Sequence, residues 1–350
     1  MMLQHNVPLA PYTSFGVGGA AELFMEVPNS DELLAILQTP IDKSITVLGY
    51  GSNVLISDAG IPGLVLRLNG GSTRIEGTKI IADAGCWWDD IVQIAISNNL
   101  WGCELLSEVP GSLGGALYIN ITAYGQSIGP LIEWVDAWNP KTMQIERLHA
   151  PDLLWSYKKS VFQTNPHYRN FVIIRACLNL SKTATTDITY QKALDIAEEL
   201  HLNPTNLSAR RTIIHHARER AGSLWHPDTQ LIPRTAGSFF RNPSVSQKIA
   251  EKIMSYDESG KTMEQIKRMN LVHGGSETRV SAAHVMLASG FNRGQRWGSV
   301  KLNDANLLKI EADHGATAQD VYKVMCEIQQ TCQQVLGVNL EPEVCLLGKF

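Results

Sequence analysis

Apolar positions along the 350-residue chain fall into short blocks whose spacing alternates between the strand period and the helix period. Ala20-Ala21-Glu22-Leu23-Phe24-Met25 reads as a strand. Asn29 with Glu32 three residues on reads as a helix start, after which Leu33, Ile36 and Leu37 share one face. The β-branched run Ile45-Thr46-Val47-Leu48 suits a buried strand, and Leu64-Val65-Leu66 and Lys79-Ile80-Ile81-Ala82 suit two more. Trp88, Ile91, Val92 and Ala95 then form the inward stripe of an amphipathic helix. A second strand group runs through Ile132-Glu133-Trp134-Val135 and Phe171-Val172-Ile173-Ile174. Past residue 220 the chain changes to short polar helices, Ser246 to Met254 and Met263 to Met269, and a loop-rich region with Gly290, Gly294 and Gly298. Thr317 and Asp320 predict the capped start of a long helix, with Val321, Val324, Met325, Ile328, Cys332 and Val335 at helical spacing and Gly337 at its end.

This length exceeds what one core usually organises, so the chain divides into two or three domains. The 44% hydrophobic and 18% charged residues and a net charge of −4 describe an ordinary globular protein, with no surface advertised for nucleic acid. The opening residues have neither a basic nor an apolar targeting region, and no stretch stays apolar for about 18 residues. This predicts a cytoplasmic chain without membrane insertion. Cys86, Cys103, Cys177, Cys326, Cys332 and Cys345 lie far apart, so they read as reduced small residues rather than as a zinc or disulfide framework. His215 and His216 read as surface residues of a helix, since no third ligand has sensible spacing, and no metal is predicted.

Candidate chemistry sits where the pattern breaks. The strand Ile45–Leu48 runs into Gly49-Tyr50-Gly51-Ser52-Asn53-Val54, whose bare amides and small polar side chains suit phosphate oxygens; a tight hairpin is the alternative. It is not the dinucleotide fingerprint of a doubly wound sheet, because no third glycine opens a helix. Val109 to Gly125 holds Gly111, Gly114, Gly115 and Gly125, too many glycines for a well-packed core element, and close approach to a large flat ligand accounts for them. In Trp155 to Phe162 the adjacent Lys158 and Lys159 suggest a solvated surface, while the flanking aromatics suggest partial cover. Thr235-Ala236-Gly237-Ser238-Phe239-Phe240-Arg241-Asn242-Pro243 reads either as a pocket edge presenting Ser238 or as a turn whose phenylalanines seal a core. In the tail, an extended Leu340 to Val344 would point the carboxylates of Glu341 and Glu343 to one side, around a ligand or as a charged edge strand.

In this order and spacing, Gly-Ser-Asn-Val-Leu, Pro110-Gly111-Ser112-Leu113-Gly114-Gly115-Ala116 with Ala123-Tyr124-Gly125, Tyr157 to Phe162, Ala236 to Phe240 with Asn242-Pro243, and Leu340 to Val344 resemble the UDP-N-acetylenolpyruvoylglucosamine reductase (MurB) family over nearly the whole chain. The resemblance implies an α+β protein: a two-lobed FAD-binding domain of the vanillyl-alcohol-oxidase (PCMH) type over 1–220, with lobes of about 1–70 and 71–220. An α+β substrate-binding domain over 221–336 and a C-terminal strand over 337–350 would follow. It implies FAD as bound cofactor, NADPH as hydride donor, a UDP-sugar substrate and, for the assembly, a monomer. Ser238 would be the proton donor, Glu343 its acidic partner and Lys158 the cation. Flavin contacts would fall on Gly49, Tyr50, Gly51, Ser52, Asn53, Val54, Pro110, Gly111, Ser112, Gly114, Gly115, Tyr124 and Gly125. Substrate contacts would fall on Tyr157, Tyr190, Arg234, Phe239, Arg241, Asn242 and Glu341, with Thr189-Tyr190 resembling a substrate-capping tyrosine loop.

The chain departs from the family pattern at informative places. Lys158 stands where the family has arginine, a mobile point charge instead of a two-donor fork. Thr122 replaces a glycine, and Arg234-Thr235 replaces Gly-Asn. The family's Lys-Leu-Pro-Asp-Pro is not found near Leu224-Trp225-His226-Pro227-Asp228, so Arg234 or Arg241 would supply the missing cation for a diphosphate. Two other readings therefore stand beside the reductase: a relative acting on another substrate, and a flavin-binding protein of low activity.

Overall fold

The computed structural model describes residues 2–185, 187–229, 233–254, 256 and 278–350. The helix anticipated from Met263 to Met269 lies outside the described residues. The chain forms two compact units, Met1–His5, Leu23–Tyr50 and Gly63–Thr229 in the first, and Asn6–Glu22, Gly51–Pro62 and Gln230–Phe350 in the second. This division differs from the contiguous one read along the sequence, since two early segments cluster with the C-terminal third. The physical reason is long-range pairing: Val54–Ile56 lies parallel to Cys345–Leu347 in the register Cys345↔Val54, Leu346↔Leu55, Leu347↔Ile56.

In the first unit, five antiparallel strands lie in the order Gln144–His149, Ile132–Asn139, Val172–Asn179, Lys79–Asp83, Thr73–Glu76. Helix Trp88–Ser97 lays Trp88, Ile91, Val92 and Ala95, all without exposed surface, into the core that includes Ile80, Val135 and Ile174. On that helix the predicted stripe and the observed buried face coincide. Helix Ser30–Leu37 begins as anticipated, with the Asn29 side chain accepting from the Glu32 amide. Ile45–Leu48 pairs in parallel with the strand carrying Leu64–Arg67, so Gly49–Asn53 does not turn the chain back as a hairpin. The glycine-dense stretch is more ordered than its composition implies. It contains helix Leu113–Tyr118, whose Leu113, Ala116 and Leu117 are buried.

The second unit is built on helix Ala318–Leu336, closed by Gly337 in the left-handed conformation at φ 69°. Val321, Val324, Met325, Ile328 and Cys332 are buried, with Phe239, Phe240, Val285 and Met286 in the same core. Val335 departs from the expected stripe and is 49% exposed, while Leu336, four residues beyond Cys332, takes the inward position. The tail is also corrected: its strand is Cys345–Leu347, and Glu341 to Glu343 make only one bridge, Phe240↔Pro342. Proline has no N–H, so the bonds around that bridge come from its neighbours' amides. Among the described residues, no helix is long and apolar enough to cross a membrane.

The long helix has two caps at its start. Thr317 and Asp320 form the anticipated capping box, and the Asp58 carboxylate accepts from the amides of Ala318 at 2.9 Å and Gln319 at 2.8 Å. Thr317→Ala is expected to lower the unfolding free energy by about 1 kcal/mol. Urea titration should read this as a lower midpoint at unchanged slope. An unchanged midpoint would mean that Asp58 alone satisfies this helix end.

Candidate functional site

In the first unit the stretch 110–125 is the spine of the site. Ser112 caps helix Leu113–Tyr118, its Oγ accepting from the Gly115 amide at 3.2 Å. A Cβ on Gly49 would lie 2.4 Å from Ser112 Oγ, and one on Gly114 3.0 Å from the Ala84 Cβ. Neither position has room for a side chain unless a neighbour shifts. Tyr50 meets Trp87 edge-on at 4.8 Å, and Trp87 is bridged to Ser112. Pro110 and Gly111 follow alongside, the Gly111 carbonyl accepting from the Trp88 amide at 2.9 Å. Gly49, Tyr50, Pro110, Gly111, Ser112, Gly114 and Gly115 are thus brought together from two separated loops. Trp225 and His226, in the segment where the family's basic motif is missing, complete the aromatic group with ring centroids 6.3 and 5.0 Å from Trp87.

At the other end of the spine Tyr124 (φ 48°) and Gly125 (φ 87°) turn the chain sharply. The Tyr124 ring lies edge-on to Tyr190 at 5.3 Å. Arg218 of helix Leu207–Arg220 lies beside the Tyr124 hydroxyl and donates to the Ser223 carbonyl at 2.8 Å. Its Nε is buried without a hydrogen-bond partner. Burial pushes the Tyr124 and Tyr190 hydroxyls above the ordinary tyrosine range, Arg218 opposing it at Tyr124. The basic segment 209–218 gave no motif to single out Arg218; only packing does so. Of the two histidines, His215 contacts Glu108 at 2.8 Å, and among the described residues no group of three or more His, Cys, Asp or Glu is arranged to hold a metal.

Tyr157 and Lys158 form the tip of a two-residue turn. The Ser156 and Lys159 amides donate to each other's carbonyls, both at 3.1 Å, and Lys158 adopts φ 51°. Both tip residues are half-buried, as the flanking aromatics suggested.

The second unit holds the remaining candidates. Ser238 is half-buried, and Lys309 lies directly opposite it in an antiparallel bridge. Lys309 is only 2% exposed, a buried cation that no pattern in the sequence announced. Phe239 donates its amide to the Leu308 carbonyl at 2.7 Å and accepts from the Glu343 amide at 2.7 Å, while the Arg241 amide donates to the Glu341 carbonyl at 2.9 Å. The Ser238 segment is therefore flanked on both sides, with Glu343 held one residue from it in register. Phe239, expected at the substrate, is fully buried with Phe15 and Phe240, so the core-sealing reading holds for both phenylalanines.

Asn53 ties the loop to the same tail: its Nδ2 donates to the Glu343 carbonyl at 3.1 Å and its carbonyl accepts from Cys345 at 3.0 Å, next to Val54 of the parallel pair. Gly51 (φ 68°) allows this approach, since a Cβ there would lie 2.0 Å from the Tyr12 carbonyl oxygen, and Ser52 accepts from Ser14 Oγ at 3.1 Å. Asn242 Oδ1 accepts from the Ala282 amide at 3.0 Å. Arg234 spends its guanidinium on the carbonyls of Ala312 and, at 3.0 Å, Asp313. Arg241 differs: its Nε is buried without a hydrogen-bond partner, and it approaches Glu341 only to 3.5 Å. Glu341 and Glu343 do not share the face of a regular strand, because the backbone bends after Pro342.

Two segments of the chain match known protein families. Residues 21–141 match the model of an FAD-binding domain, and residues 227–347 match the C-terminal domain of UDP-N-acetylenolpyruvoylglucosamine reductase. The UDP-N-acetylenolpyruvoylglucosamine reductase of Thermobifida fusca is 28% identical over 98% of this chain and 97% of its own length. That of Porphyromonas gingivalis strain W83 is 28% identical over 98% and 99%. The crystal structure of the Thermus caldophilus enzyme (MurB) shares the fold at a TM-score of 0.65 and 22% identity, covering 99% of this chain and 100% of its own. The buried Arg218 Nε, left without a hydrogen-bond partner, fits a flavin nucleotide, which needs donors for its anionic and carbonyl oxygens, whereas the glycines at 49 and 114 let the loop pack against Ser112 and Ala84. Gly49→Ala is expected to displace Ser112 and yield protein with less bound flavin, and Ser112→Gly added to it should restore part of the loss; visible absorbance per protein checks both. The two matched domains, in this order, mark the chain as an FAD-containing oxidoreductase similar along nearly its whole length to the UDP-N-acetylenolpyruvoylglucosamine reductases.

Proposed function

We propose that the protein reduces UDP-N-acetylenolpyruvoylglucosamine to UDP-N-acetylmuramate with NADPH, as a cytoplasmic step of peptidoglycan precursor synthesis. The observation that carries this reading is Ser238, a half-buried hydroxyl on a segment flanked by backbone pairing on both sides, with Glu343 bonded to the next residue. Gly49 to Val54, Pro110 to Gly115, Tyr124 and Gly125 would hold the flavin. When bound, FAD supplies the redox chemistry, taking two electrons from NADPH and delivering a hydride to the substrate.

The protein's own residues manage charge and one proton. Reduction at the terminal carbon of an enol ether leaves negative charge shared between the adjacent carbon and its carboxylate, and a cation must meet it. Lys158 serves there. The adjacent carbon then needs a proton, which Ser238 delivers as general acid. A serine hydroxyl is a weak acid, but an enolate is a strong base and partial burial narrows the gap. Glu343 orients a substrate oxygen or a water at the proton donor. Tyr157, Tyr190, Asn242, Glu341 and Arg241 contact the substrate, Arg241 in place of the family's missing diphosphate lysine. Arg234, engaged with two carbonyls, is withdrawn from that role, and Phe239 acts only by seating Ser238.

Lys158 in place of arginine motivates a second reading, a relative acting on another substrate. An anaerobic assay decides. NADPH-reduced protein should be reoxidised rapidly by UDP-N-acetylenolpyruvoylglucosamine, and absence of reoxidation would remove the assigned reaction. Ser238→Ala should leave reduction by NADPH nearly intact and slow reoxidation by about 10²–10⁴-fold, the scale of a positioned proton donor. Equal slowing of both halves would contradict the role of Ser238. Lys158→Arg should raise the reoxidation rate; a fall would favour a site rebuilt for another ligand.

A further inference from the structure

The Tyr157–Lys158 turn is fastened at its base on both sides. Asn120 Nδ2 donates to the Ser156 carbonyl at 2.7 Å, one residue before the tip. Ser160 Oγ donates to the Tyr118 carbonyl at 2.6 Å, two residues after Lys158. Asn120 is 1% exposed and its other end is also used, Oδ1 accepting from the Gly129 amide at 2.9 Å; Ser160 has no exposed surface. Asn120 adopts φ 48°, a conformation asparagine tolerates better than most residues. Asn120 and the Tyr118 carbonyl lie at the end of helix Leu113–Tyr118, whose start is the Ser112 cap of the glycine-rich loop.

We propose that Asn120 and Ser160 are positioning residues that act through Lys158, fixing the origin of its side chain relative to the 110–125 spine. This rests on the reading of Lys158 as the cation for the developing charge. An arginine fork aligns itself on a carboxylate through two parallel hydrogen bonds, whereas lysine is a point charge on a flexible four-carbon stem. With lysine, orientation has to come from the backbone. A turn of two residues closed by its own pair of bonds and tied down on both flanks supplies it. The tie is made with buried neutral groups, so it leaves the charge of Lys158 unaltered.

Asn120→Asp keeps the side chain's shape and its tolerance of the left-handed conformation but replaces the donor to Ser156 with an acceptor; Ser160→Ala removes the other tie. In the flavin-loaded protein, each variant is expected to speed amide hydrogen exchange at Lys159 by about tenfold or more, as local opening becomes easier, while amides of strand Val172–Asn179 stay unchanged. Each should slow reoxidation by UDP-N-acetylenolpyruvoylglucosamine by about 10–100-fold, the scale of a small misplacement, and leave reduction by NADPH unchanged. In a Lys158→Met background, adding Asn120→Asp should cost nothing further. Unchanged exchange at Lys159 in both variants would overturn the clamp itself. A full additional loss in the Lys158→Met background would overturn its action through Lys158 and leave a merely structural role. If Lys158→Met alone reoxidises at the wild-type rate, the catalytic reading of Lys158 falls and the positioning role with it, while faster exchange in Asn120→Asp would still report an intact clamp. The two failures are thereby told apart.

Discussion

Irregular backbone stays in one place only where its polar groups are paired, and much of the candidate site of this protein is irregular backbone under that constraint. Ser238 lies outside any long strand, yet the next residue is bonded to Leu308 on one side and to Glu343 on the other. The two phenylalanines that follow lose all or nearly all of their exposure, which anchors the segment from beneath. Asn53 extends the same logic, its side chain bonding the carbonyl of Glu343 and its own carbonyl accepting from Cys345. A hydroxyl, a carboxylate and a glycine-flanked loop, distant in sequence, are set by shared backbone bonds within one unit.

In the first unit a short helix does comparable work. Helix Leu113–Tyr118 buries Leu113, Ala116 and Leu117, and this burial fixes both of its ends. Its start presents Ser112 against Gly49, and the residues just past its end hold the Lys158 turn and lead to Tyr124. The electrostatics follow from the same packing. Burial pushes the hydroxyls of Tyr124 and Tyr190 above the ordinary tyrosine range, and it leaves Arg218 with a buried donor still to be satisfied. A protein with net charge −4 thus holds a buried guanidinium donor beside two half-buried tyrosines.

Much of this was legible in the residues. The period-3.6 stripe of helix Trp88–Ser97 and the capping box of helix Ala318–Leu336 are local signals, and the observed elements match them because burial on one helix face and hydrogen bonding three residues apart are themselves local. The glycines of 110–125 read as a close approach to a flat ligand, while the structure shows Gly114 packed against Ala84 and Gly49 against Ser112 of the protein itself. Alternation does not run through Glu341–Glu343, because proline breaks the ladder there and the strand begins only at Cys345. Val335 failed for a smaller reason: a helical stripe drifts, and near its end the inward place passes to Leu336.

The sequence by itself determined the elements with a local cause, the order of the glycine-rich and serine-bearing blocks, and through them the family resemblance. Tertiary structure decided what meets what. Residues 51–62 join residues 230–350 through parallel strand pairing, Asn120 reaches across 36 positions to the Ser156 carbonyl, and Arg218, unremarkable among its basic neighbours, lies beside Tyr124. None of these has a periodic or short-range signature. Each follows from long-range pairing and burial, which are satisfied only when the whole chain has folded.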